Sequence, residues 1–83
     1  MNPIDQVEYK DPRLSDAENN VLHWLKSYIA SNGYSPTLKE LAELCERSKG
    51  TIQGQVDMLK QKGFVTFEKG LSRTLRPTTP AGV

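Results

Sequence analysis

Apolar residues recur along this chain in three helical rhythms and then in a strand rhythm. In the first, Ala17, Val21, Leu22, Trp24, Leu25, Tyr28 and Ile29 fall on one broad arc, with His23 on the other side. Ser15-Asp16-Ala17-Glu18 opens this segment as a capping box, in which serine and glutamate satisfy each other's unpaired backbone N–H groups. Asn32-Gly33 closes it, because glycine adopts positive φ without strain. A second capping box, Thr37-Leu38-Lys39-Glu40, starts a shorter helix whose apolar side is Leu38, Leu41, Ala42 and Cys45. After a turn at Glu46-Arg47, Ser48 caps a third helix that runs to about Lys62 and stops at Gly63. Ile52, Val56 and Leu59 mark its inner side.

Beyond Gly63 the period shortens. Phe64-Val65-Thr66-Phe67 is aromatic and β-branched and reads as a strand. Residues 68–72 then make a turn around Gly70, and Arg73-Thr74-Leu75-Arg76 reads as the returning strand. Residues 1–13, with Pro3 and Pro12 and no apolar period, are expected to be a loose arm, and 77–83 an irregular tail. The fold expected for 14–76 is mainly α with a small β-hairpin: a winged helix-turn-helix of three helices and a two-stranded wing.

Charge changes the picture more than composition does. The chain has 83 residues and a net charge of +1, enough for one modest core. Residues 1–46 carry four Lys and Arg against eight Asp and Glu, whereas 47–83 carry seven against two. A basic second half opposite an acidic first half fits a polyanion-facing surface.

The turn from Leu44 to Arg47 makes the second and third helices cross steeply and presents the third outward. A helix fits the B-DNA major groove and meets base edges with its N-terminal residues. The outward positions of helix 3 include Gly50, Thr51, Gln53, Gly54, Asp57 and Gln61, without a large hydrophobe in the first turns. Ser48, Thr51, Gln53 and Gln55 offer hydrogen-bonding groups, and Lys49 adds charge. Free N–H groups beside Thr37 at the start of helix 2 suit a phosphate. Arg47, Lys49, Lys60 and Lys62 are further phosphate candidates. Lys69, Gly70, Ser72 and Arg73 would form the wing, where Arg73 reads equally as a DNA contact or as an exposed strand-end arginine.

These segments resemble the N-terminal DNA-binding domain of LexA-type repressors, from about Leu14 to Arg76. The resemblance rests on Leu14-Ser15-Asp16-Ala17-Glu18, Gly33-Tyr34-Ser35-Pro36-Thr37, Arg47-Ser48 and Leu59-Lys60-Gln61-Lys62-Gly63-Phe64-Val65, followed by Gly70, Ser72-Arg73 and Leu75-Arg76. It implies a winged helix that reads a palindromic operator in double-stranded DNA as a homodimer. It also implies base contacts at Ser48, Gly50, Thr51, Gln53 and Gly54. Two of these are glycines, which carry no side chain to read a base. The family's self-cleaving C-terminal domain, which supplies a serine–lysine pair and the main dimer contacts, is not part of these 83 residues.

No Ser/His/Asp, Cys/His or metal-ligand set is legible, so neither an enzyme nor a cofactor is expected. Cys45 by itself builds neither a disulfide nor a zinc site and reads as a small core residue. No apolar stretch is long enough to span a bilayer, and MNPIDQVEYK has no signal-peptide centre, which points to the cytoplasm. The rival reading is a winged helix that has given up DNA and binds another protein. The helix-3 glycines and the low net charge motivate it.

Overall fold

A computed structural model describes residues 10–78. Three helices, α1 (Asp16–Asn32), α2 (Leu38–Cys45) and α3 (Lys49–Lys62), precede two short strands, β1 (Val65–Thr66) and β2 (Arg76–Pro77). Among the described residues no helix is long and apolar enough to cross a membrane.

Each helix starts where the sequence places a cap. Ser15 Oγ accepts from the Glu18 N–H at 3.1 Å, and Glu18 Oε1 accepts from the Ser15 N–H at 2.8 Å. Thr37 and Glu40 repeat the arrangement at 3.1 and 2.8 Å. Ser48 Oγ takes the Thr51 N–H at 3.2 Å. Gly33 and Gly63 end α1 and α3 with φ of 78° and 86°. Glu46 ends α2 in the same left-handed region, at φ 56°, a conformation that non-glycine residues seldom adopt.

The apolar sides meet in one core. Leu25, Leu41, Ile52 and Leu59, from all three helices, are fully buried, with Val21 and Val56 beside them. Burying each such side chain favours folding by about 1.5–3 kcal/mol. Phe64, Val65 and Leu75 extend the core beneath the hairpin. Cys45 is buried within it, as expected.

On α1 the arc is graded: Val21, Leu22 and Leu25 are core, Trp24 and Ile29 pack half-buried against it, and Tyr28 stands half-buried edge-on to Tyr34. In addition, Glu18, Asn19 and Asn20 are buried. The chain ahead of α1 accounts for Asn19. Its Oδ1 accepts from the Asp11 N–H at 2.9 Å, and its Nδ2 donates to the Asp11 and Ser15 carbonyls at 3.1 and 3.2 Å. Asp11 to Arg13 are therefore tied down rather than loose. Residues 1–9 of the expected arm and 79–83 of the expected tail lie outside the described residues.

The hairpin is also shorter and shifted. Its antiparallel ladder pairs Val65 with Pro77 and Thr66 with Arg76, so the returning strand lies beyond the expected 73–76. Arg73 has φ 60°, which no strand residue adopts. Thr74 Oγ1 closes the loop by accepting from the Glu68 N–H at 2.9 Å. Pro77 has no N–H to donate and stands at a sheet edge. Thr78 continues the pairing, with its N–H on the Phe64 carbonyl at 2.8 Å.

Candidate nucleic-acid interface

The turn between α2 and α3 sets the outward helix. The Arg47 N–H returns to the Ala42 carbonyl at 3.0 Å, closing α2 and redirecting the chain. Ser48 follows with extended backbone, φ −69° and ψ 154°, and α3 begins. Residues 46–51 are all exposed, as are Gly54, Asp57, Met58 and Gln61. Gln53 and Gln55 are half-buried on the flanks.

The exposed start of α3 is electrostatically unlike the starts of the other helices. α1 and α2 carry acids in their first turns (Asp16 and Glu18, and Glu40), which complement the positive end of the helix dipole. α3 has no acid there and begins with Lys49. A cation at a helix N-terminus disfavours the helix by about 0.3–1 kcal/mol unless an anion compensates. The start of α3 thus has no carboxylate of its own to complement its positive end, and Lys49 adds a further positive charge there.

Side chains at the site are held within the helix. Ser48 Oγ donates to Thr51 Oγ1 at 2.8 Å, and Gln53 Nε2 donates to Asp57 Oδ1 at 2.9 Å. A β-carbon built on Gly50 or Gly54 meets nothing within 4 Å, so packing does not require glycine at either position. The helix backbone there is open to close approach.

A groove of about 960 Å³ runs between the start of α2, one flank of α3 and the loop from Phe67 to Leu75. It gathers Thr37, Lys49, Gln53, Lys69 and Arg73 from the expected set. Arg47, Ser48, Gly50, Thr51, Gly54 and Gln55 lie outside it. Lys39 also lines the groove and was missed by sequence reading, although it directly follows the Thr37-Leu38 start of α2.

Not every expected cation points outward to a ligand. Lys62 Nζ lies 2.9 Å from Glu18 Oε1, and Lys60 Nζ donates to the Phe67 carbonyl at 3.2 Å while standing 4.2 Å over the Phe67 ring. Each of these ammonium groups thus already has a partner within the domain. Arg73 is turned onto Glu40, 2.9 Å away. The Thr37 N–H and the Arg73 guanidinium together lower the Glu40 pKa to about 2. Among the described residues no ion pair involves Arg47, Lys49 or Lys69, although the Arg47 guanidinium donates to the neighbouring Glu46 carbonyl at 3.3 Å.

Comparison with known proteins settles the kinship. Residues 11–74 match the LexA DNA binding domain. The chain belongs to that family. It is 37% identical over 65 residues to a LexA repressor from Sorangium cellulosum, covering 77% of this chain and 28% of that protein. A LexA repressor from Anaeromyxobacter sp. is 36% identical over 69 residues, covering 82% and 30%. The transcription regulator LexA of Synechocystis sp. is 33% identical over 64 residues, covering 76% and 32%. The chain thus spans about three tenths of the length of these relatives. The LexA-type match begins at Asp11, where the structure ties the chain to Asn19, and ends at Thr74, inside the wing.

Proposed function

We propose that this LexA-type domain binds double-stranded DNA sequence-specifically and acts as a transcription repressor by occupying promoter DNA. The observation that carries this reading is the N-terminal face of α3: exposed, built of small and polar residues, free of acid in its first turn, and led by Lys49. α3 lies in the major groove, where Thr51 and Gln53 hydrogen-bond base edges. Gly50 and Gly54 bring the helix backbone close to the DNA, and Ser48 and Gln55 contribute at the edges of the contact. Arg47, Lys49 and Lys69 neutralise phosphates, and free N–H groups of the α2 start beside Thr37 hold another.

Two copies on a palindromic operator are the assembly we favour, since the LexA-named relatives are repressors and a two-fold site doubles the recognised length. Selection of bound sites from random duplexes tests this, because an inverted repeat of fixed half-site spacing is expected. Variants then assign the roles. Thr51→Ala and Gln53→Ala should relax preference among selected sites. Lys49→Ala should weaken binding to all duplexes alike and lower the salt slope by about one. Absence of binding to mixed duplex DNA at low salt would instead indicate a protein-binding winged helix.

A further inference from the structure

The wing has little sheet to hold it. Two residue pairs make up its ladder, and an isolated hairpin of that size is marginal. Leu75, buried in the core, anchors one side, and the Lys60 bond to the Phe67 carbonyl secures the other. Between them, Arg73 reaches back across the groove. Its Nη1 donates to Glu40 Oε1 at 2.9 Å and its Nη2 to Glu40 Oε2 at 3.2 Å. Nη1 also donates to the Ser35 carbonyl at 3.1 Å, and the guanidinium lies 5.0 Å from the centre of the Tyr34 ring. Tyr34 is braced edge-on by Tyr28 at 5.9 Å.

Glu40 is also the reciprocal glutamate of the α2 capping box, with its Oε1 accepting from the Thr37 N–H. One carboxylate therefore joins the wing to the first turn of the helix-turn-helix. The two parallel bonds and the ring contact are a planar geometry that an ammonium does not reproduce. Arg73 adopts φ 60° to reach it, a backbone conformation uncommon outside glycine, which the surrounding contacts must hold.

We propose that Arg73 is a positioning residue for DNA binding: through Glu40, Ser35 and Tyr34 it fixes the wing relative to α2 and α3, and is not itself a phosphate contact. The inference rests on the DNA-binding reading of the same surface. Held this way, the loop presents Lys69 at a set place beside α3 instead of sampling many. Its contribution to affinity is the ordering that binding no longer has to supply.

Arg73→Ala, Arg73→Lys, Glu40→Gln and the double variant Arg73→Ala/Glu40→Gln test this in the full chain. Glutamine keeps the capping bond of α2 and removes the charge that Arg73 grips. Each single variant should weaken duplex binding about three- to fivefold with an unchanged salt slope, the range expected of one partly exposed pair. The double variant should be no weaker than Arg73→Ala, because both changes break one interaction. In the DNA-free protein, ¹⁵N relaxation should show residues 68–72 gaining fast backbone motion in Arg73→Ala and Glu40→Gln, with α3 unaffected.

A salt slope lowered by about one in Arg73→Ala, with binding restored by Arg73→Lys, would make Arg73 a direct phosphate contact and overturn the proposal. Wing relaxation identical to that of the unmodified protein would overturn it equally. Failure of the unmodified chain to bind any duplex would defeat the DNA-binding reading. The relaxation measurement would still decide whether the clamp exists.

Discussion

Lys62, in the last turn of α3, places its Nζ 2.9 Å from Oε1 of Glu18, the capping-box glutamate at the start of α1. Glu40 in the second capping box is likewise gripped by a distant cation, Arg73. In both boxes the glutamate closes its own helix through backbone bonds and then receives a charge from elsewhere in the fold. Local caps thereby become tertiary joints.

The first joint is structural, with Glu18 buried and Lys62 partly exposed. Lys62→Ala should lower stability by about 1 kcal/mol, measured by denaturant unfolding, while leaving the salt slope of DNA binding unchanged. A lowered slope would return Lys62 to the list of phosphate contacts.

Acid should weaken the contacts of Asp11 and Glu40. Hydrogen bonds from the Arg13 side chain and backbone hold Asp11 at a pKa of about 2, below its ordinary 3.8. The Thr37 N–H and Arg73 hold Glu40 at about 2, below 4.5. A carboxyl depressed on folding adds stability that is complete above its unfolded pKa and is lost as pH falls through the folded one. Unfolding midpoints should therefore hold near neutrality and decline from about pH 4.5 to about pH 2. Asp11→Asn should flatten the lower part of that decline, and an unaltered profile would refute the assignment.

Glycine in α3 sets stability against function. Because a β-carbon at Gly50 or Gly54 meets open space, Gly50→Ala and Gly54→Ala should each stabilise the fold by about 0.5–1 kcal/mol. Both should weaken duplex binding if the helix backbone lies against DNA there. Thermal unfolding and DNA titration on the same samples separate the two effects. Stabilisation without loss of binding would show that the glycines serve no close approach.

Cys45 should be inert in the folded protein. Burial pushes its thiol pKa up to about 11, against a smaller opposing effect of Arg47, so thiolate is scarce at pH 8. Alkylation should proceed at the rate of unfolding and accelerate in denaturant. Rapid labelling of the native protein would contradict its place in the core.

How much was legible in the sequence follows from the range of each interaction. Both capping boxes, the Ser48 cap, the glycine stops and the inner sides of α2 and α3 are encoded within a few residues, and all appear where periodicity and capping chemistry place them. The wing was less legible. A strand at Phe64 to Phe67 and a return through Leu75 were legible from residue type, but strand pairing depends on the partner's register, and Arg73 leaves the strand for a carboxylate 33 positions away.

The candidate site divides in the same manner. Residue type and spacing alone mark Ser48, Gly50, Thr51 and Gly54 as an outward, small and polar helix face, since exposure follows from a core that occupies the opposite side. Which cations remain available was decided by the tertiary structure. Lys60, Lys62 and Arg73 resemble Arg47, Lys49 and Lys69 as letters, yet the first three meet a carbonyl or carboxylate supplied by another part of the fold. Charge is written in the sequence, but neutralisation acts through space, over distances that only the folded chain sets.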